Sequence, residues 1–351
     1  MRTRPGDGRG AAVRTPGAEL QEASRSMRAR RSAIIGSVAL LVALVAGPAA
    51  ARSTELAPSH VHFMPPQATG QGLPPAAKGS HGGGGGGGST NTGIFYHGGP
   101  IIQSINVAAI YWGTSTIYKN GPAPGSSSTS GGSDNSLVAY FLSNLGGSSY
   151  YNINSTYYDG SNVKVQNAVK YSGFWADNSN PGSTVSDAAI QAEVVAAFAN
   201  GLPYDKNTVY AVFTASGVNL GGGFGSQYCA YHGDFTATIN GVSQVVKYAA
   251  MPYAYQYPSG CSALNGSPNN DYAGDTEVNV LAHEVEETNT DPELNAWYDR
   301  RGYENADKCA WKFGSTSNNG SGTYNIVVGQ KDFLVQMNWV NAGSGGCLKG
   351  Y

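Results

Sequence analysis

The pentapeptide His283-Glu284-Val285-Glu286-Glu287 constrains this chain most, because it sits in a stretch where Val278, Leu281, Ala282 and Val285 recur at helical spacing until Pro292. The spacing predicts a helix over residues 276–290, capped by Asp275. On such a helix, side chains four apart lie one turn above each other. His283 and Glu287 can therefore address one ion, with Glu284 offset beside them and able to reach a bound water. The competing reading is a solvated acidic face, since six of the ten glutamates (Glu277, Glu284, Glu286, Glu287, Glu293 and Glu304) fall between positions 277 and 304.

The pattern H-E-x-x-E is one residue away from the H-E-x-x-H helix that carries zinc in metallopeptidases. Two ligands and a general base, Glu284, are thereby supplied, and a third ligand is still required. Glu304 and Asp307 are the leading candidates, 17 and 20 residues beyond Glu287. This layout is similar to that of gluzincin peptidases, in which a distant Glu and a nearby Asp complete the site; which of the two binds here stays open. Asp291 and Glu293 compete, but Asp291-Pro292 reads first as a helix-ending turn, and Thr290 stands where a metzincin-like spacing to Glu293 would want Gly. His232 is a weaker ligand candidate, and Tyr298 or Tyr303 could steady an oxyanion. Zn²⁺ is the expected ion, but one His with two carboxylates leaves a nearly neutral centre, a weaker Lewis acid or one that prefers a harder ion such as Ca²⁺ or Mn²⁺.

Compartment follows from the N-terminus. Arg28, Arg30 and Arg31 precede an apolar run over 33–46 and the small residues Ala49-Ala50-Ala51, which predicts a secretory signal peptide within residues 1–51, with Met27 as an alternative start. The apolar run is too short for stable membrane insertion once the signal is cleaved. Residues 52–92 carry Pro65-Pro66, Pro74-Pro75 and seven consecutive glycines at 82–88, the composition of a disordered linker, so His60, His62 and His81 are read as non-specific. An even set of cysteines, Cys229, Cys261, Cys309 and Cys347, favours two disulfides in an exported chain. Three pairings are possible, and sequence order makes Cys229 with Cys261 and Cys309 with Cys347 the simplest. A formal net charge of -2 argues against nucleic acid as a partner and leaves a peptide or cell-wall substrate open.

Residues 93–351 are read as one domain. Strands are predicted at 101–112, 150–158, 162–175 and 208–215, then at 235–239 and 245–254 around Asn240-Gly241, with helices at 136–145 and 186–200. The order predicts an α/β fold, a mixed β-sheet followed by a zincin-like active-site helix.

Several stretches together resemble the EXORDIUM, or phosphate-induced, family of secreted proteins. They are Ile105-Asn106-Val107 to Trp112-Gly113, Tyr210 to Val218 leading into Cys229-Ala230-Tyr231-His232-Gly233, Thr290-Asp291-Pro292 to Asn295-Ala296-Trp297-Tyr298, and the Cys-ended tail. The resemblance covers roughly residues 94–351 and implies an extracellular protein, associated in plants with the cell wall. This sequence departs from several plant members in keeping His283, Glu284, Glu287, Glu304 and Asp307 together.

Overall fold

The computed structural model describes residues 60–67 and 93–351; the expected signal peptide, Met27 and most of the expected linker lie outside them. In chain order the main elements are β1 (Val61–Met64), β2 (Phe95–Tyr96), β3 (Ile105–Trp112), α1 (Leu137–Leu145), β4 (Val169–Asp177), α2 (Asp187–Ala199), β5 (Thr208–Thr214), β6 (Ala230–Ile239), β7 (Val242–Met251), α3 (Pro258–Cys261), α4 (Tyr272–Thr290) and β8 (Trp297–Tyr298). Six strands form one sheet in the order β1-β6-β7-β5-β3-β4. The β4, β3, β5 and β7 strands run parallel, while β6 is antiparallel to β7 and β1 to β6. The fold is α/β with a mixed sheet.

Side-chain alternation assigns the two faces of the sheet. Val107, Ala109 and Tyr111 of β3 join Val209, Ala211 and Phe213 of β5 in a core shared with α1 and with Val278, Leu281, Ala282 and Val285 of α4. Ala108 and Ile110, with Tyr210 and Val212, point the other way and pack against Ile190, Val194 and Ala197 of α2. The central strands read as continuous apolar runs because both faces are covered.

Local departures from the sequence reading have local causes. Residues 150–158 are not a strand but a 3₁₀ helix, Tyr151–Thr156. Ser148 Oγ accepts from Tyr151 N, and the Ser155 and Thr156 hydroxyls donate to carbonyls three residues back, side-chain bonds that compete with an extended backbone. The strand predicted at 162–175 is confined to β4, and the one at 101–112 begins only at Ile105. The β6–β7 hairpin is longer than predicted and turns at Asn240 (φ 51°) and Gly241 (φ 79°), both in the left-handed conformation such a turn requires. Helix α4 starts a turn early: Asp271 is the cap, its carboxylate accepting from Gly274 N, while Asp275 accepts from Ser267 Oγ and Asn269 N. The disulfides pair Cys229 with Cys261 and Cys309 with Cys347. No helix of the described residues is long and apolar enough to cross a membrane.

Glu277 of α4 lies in the core with one oxygen accepting from Ala254 N, and burial pushes its carboxyl from 4.5 up to about 8. Between those two values the unfolded chain releases a proton that the folded chain keeps, so this group lowers stability as pH rises through the window. Glu277→Gln keeps the acceptor and cannot ionise. Its melting point should match the parent's near pH 5 and exceed it near pH 8, by the equivalent of about 2–3 kcal/mol. Identical pH profiles in thermal melts would refute this origin.

Candidate metal centre

Four separate pieces of chain meet at the β1–β6 edge of the sheet. The register of β1 on β6 sets His62 directly opposite His232, so the two rings project from the same face of the ladder with centroids 5.7 Å apart. Helix α4 faces them with His283, Glu284 and Glu287. The turn from Glu304 into the 3₁₀ segment Asp307–Cys309, tied down by the Cys309–Cys347 disulfide, supplies Glu304 and Asp307.

Separations among these groups fit an ion better than a hydrogen-bond network. From Glu287 Oε2 the distances are 3.2 Å to His283 Nε2, 3.6 Å to His232 Nε2 and 3.8 Å to His62 Nε2. Glu304 lies 3.5 Å from His232 Nε2 and 3.4 Å from His62 Nδ1, and Asp307 Oδ1 is 3.5 Å from His283 Nε2. Charge-assisted hydrogen bonds run at about 2.7–2.9 Å. Ligands held about 2.0–2.1 Å from a shared tetrahedral ion sit roughly 3.3–3.4 Å apart, close to the 3.2–3.6 Å separations among His232, His283, Glu287, Glu304 and Asp307, whereas His62 turns Nε2 toward Glu287 and Asp307 but Nδ1 toward Glu304. The exception is His62 Nε2, at 2.5 Å from Asp307 Oδ2. All of these side chains are at most 3% exposed.

Burial leaves the charges to each other. It works to depress the His283 imidazolium, but Glu287, Glu284 and Asp307 outweigh it and raise the group to about 10. His62 is likewise depressed by burial and carried up to about 9 by Asp307, Glu304 and Glu287. Burial pushes Glu284 up to about 8 even with His283 and His232 opposing. Glu287 goes the other way: against its own burial, His283 and His62 hold it below the usual carboxylate range. Protons on His62 and His283 thus stand in for the positive charge that a divalent cation would bring. Neither oxygen of Glu284 has a hydrogen-bond partner among the described residues. One of its oxygens nevertheless groups with a ring nitrogen of His232 and an oxygen of Glu287, all within 4.8 Å of one another. Outside this shell, Gln336 Nε2 lies 3.0 Å from His283 Nδ1 and donates to Ala306 O, which fixes the ring's orientation.

Of the residues singled out by sequence, His283, Glu284, Glu287, Glu304, Asp307 and His232 come together. Asp291 accepts from Ala296 N and so serves the turn, and Glu293 pairs with Lys247 at 3.2 Å. Tyr298 stacks on His97, and the Tyr303 ring lies under the Arg301 guanidinium. The reading of His62 as a linker histidine is corrected: residues 61–64 form a strand because Val61 and Met64 bury in the core, and Phe63 packs on Tyr228 and Tyr231. The alternation of Val61-His62-Phe63-Met64 before Pro65-Pro66 was the available signal.

A six-stranded mixed sheet that buries an acidic helix defines an α/β protein with a cluster of metal-ligand type at its core. Residues 94–339 match the family described as the phosphate-induced protein 1 conserved region, and the chain belongs to that family. It is similar to Protein EXORDIUM-like 5 of Arabidopsis thaliana, with 28% identity over 294 residues, covering 70% of this chain and 74% of that protein. No solved structure matches. His62 precedes the matched region, whereas His232, His283, Glu287, Glu304 and Asp307 lie within it.

Proposed function

We propose that the protein is an extracellular, EXORDIUM-like protein whose domain is built around a buried divalent-metal site that staples α4, the β1–β6 edge and the 304–309 turn. The observation that carries this reading is the convergence of His62, His232, His283, Glu287, Glu304 and Asp307 at separations near the edge lengths of a coordination shell, in a place closed to solvent. Imidazoles move the donor set toward zinc and away from Ca²⁺ or Mn²⁺, which favour all-oxygen shells. Closure favours a structural ion, since these side chains are at most 3% exposed. The disulfides and the EXORDIUM-like relative support an extracellular setting.

A second reading, a zincin-like hydrolase of peptide bonds, draws support from one feature, the buried and unpartnered Glu284 beside His232 and Glu287. Glu284→Gln separates the two. Under the structural reading the parent hydrolyses no member of a peptide library, and the variant keeps the parent's metal content. Turnover by the parent that is abolished in the variant, at unchanged metal content, would establish the hydrolase instead.

A further inference from the structure

We propose that His62 is a clamp on the metal shell and not a ligand of the ion: it holds the outer oxygens of Asp307 and Glu304 so that their inner oxygens face the cation. This rests on the metal reading above and divides the converging groups by role. His62 Nε2 stands 2.5 Å from Asp307 Oδ2, too close for two ligands of one ion and within reach of a hydrogen bond. A carboxylate can only accept, so this nitrogen carries the hydrogen and has no lone pair left for a metal. The other ring nitrogen, Nδ1, is turned to Glu304 Oε1 at 3.4 Å. Both sides of the ring therefore address carboxylates.

The acids divide their oxygens to match. Asp307 brings Oδ1 to 3.5 Å from His283 Nε2, while Oδ2 accepts from His62 Nε2 and, at 3.2 Å, from Glu304 N. Glu304 brings Oε2 to 3.5 Å from His232 Nε2, while Oε1 faces His62. Glu287 follows the same rule, with Oε2 among the imidazoles and Oε1 accepting from Asp307 N at 3.0 Å. Each carboxylate thus turns one oxygen inward and has the other fixed from outside, the arrangement by which outer groups orient metal ligands. Among the described residues, neither ring nitrogen of His232 has a hydrogen-bond partner and His283 Nε2 has none, so these two imidazoles are open to an ion and keep the preference for zinc. His62 can act as a clamp because its strand is firmly seated: β1 pairs with residues 230–233 of β6, and Val61 and Met64 bury in the cores on opposite faces of the sheet. It precedes the region matched by the family, whereas all five ion-facing groups lie inside that region.

The test compares zinc affinity, and the visible spectrum after loading with Co²⁺, across the full parent chain, His62→Ala and His62→Gln, with His232→Gln as the ligand control. The glutamine amide restores a donor for Asp307 without an imidazole nitrogen. His62→Ala is expected to hold one ion about 10–100-fold more weakly than the parent, and His62→Gln to recover most of that loss. Both should keep the parent's Co²⁺ band positions, because the ion's own ligands are unchanged, whereas His232→Gln should shift them. A His62→Gln spectrum displaced as far as that of His232→Gln makes His62 a ligand and overturns the clamp. So does a His62→Ala affinity equal to the parent's, or a glutamine variant that binds no better than the alanine one. If His62→Ala fails to fold, the spectrum of His62→Gln decides alone. A parent that binds neither Zn²⁺ nor Co²⁺ defeats the metal reading itself, an outcome distinct from these.

Discussion

Alanine at His283 is expected to empty the site and to destabilise the domain by about 5 kcal/mol or more, the largest effect of any single substitution considered for this chain. Two losses combine. His283 Nε2 lies 3.2 Å from Glu287 and 3.5 Å from Asp307, so its removal leaves fully buried carboxylates facing one another, and breaking a buried charged pair by deleting one partner costs about 3–5 kcal/mol. An ion bound only by the folded state adds its own linkage, about 4 kcal/mol at a free concentration a thousandfold above Kd. The two overlap because the ion is also the countercharge, hence a total below their sum. Elemental analysis should find one zinc per parent chain and none in the variant. Stripping the parent with a chelator should lower its denaturation midpoint much as the substitution does. A variant that retains stoichiometric metal, or a parent whose unfolding is unaffected by the chelator, defeats the assignment of His283 as a ligand.

How much of this was legible in the sequence depended on range. The helix and its i, i+4 pair followed from periodicity, whereas Glu304 and Asp307 were singled out only by the resemblance of their spacing to that of gluzincin peptidases. The central strands β3 and β5 announced themselves as apolar β-branched runs, since burial on both faces removes polar alternation. His62 was hidden because its significance depends on pairing with residues around 230, far along the chain, while its neighbours in sequence are Pro- and Gly-rich. A four-residue strand carries too little pattern to stand against such flanks.

The solvated-face reading of α4 fails for a related reason. Glu286 and Asn289 look like the wet side of an amphipathic helix, yet both are fully buried. The partners that cover them, Asn154, Asn305 and Asn338, are polar residues from three distant segments, and no local hydropathy pattern can foretell a polar layer assembled in that way. The same layer explains the misread segment 150–158: its 3₁₀ turn aims Asn154 at the back of α4, where a strand would have carried it elsewhere.

Asn154 is accordingly the position outside the metal cluster where one substitution should cost most, about 3–5 kcal/mol for Asn154→Ala. A side-chain amide has two donors and two acceptor sites, and here all four are used. The Nδ2 group donates to Glu286 O at 3.1 Å and to Asn289 Oδ1 at 2.9 Å, while Oδ1 accepts from Asn305 Nδ2 at 3.1 Å and from Asn338 Nδ2 at 3.2 Å. Alanine strips bonds from several buried polar groups at once, each carrying a desolvation cost of about 1–3 kcal/mol if unmatched. Some relief is built in, because Asn305 Nδ2 also reaches Glu286 O and Asn338 Nδ2 also reaches Glu286 Oε2 at 2.8 Å. That second bond needs no charge on Glu286, whose carboxyl burial drives well above its ordinary range, so the layer is a network of neutral groups and its loss should depend little on salt. Denaturant unfolding of Asn154→Ala beside Asn338→Leu and the double variant checks the idea. Strongly sub-additive losses are expected, since either single change already breaks the shared layer. Additive losses, or a cost for Asn154→Ala below about 1 kcal/mol, would mean that water substitutes for the amide and that α4 is held in place by its apolar face alone.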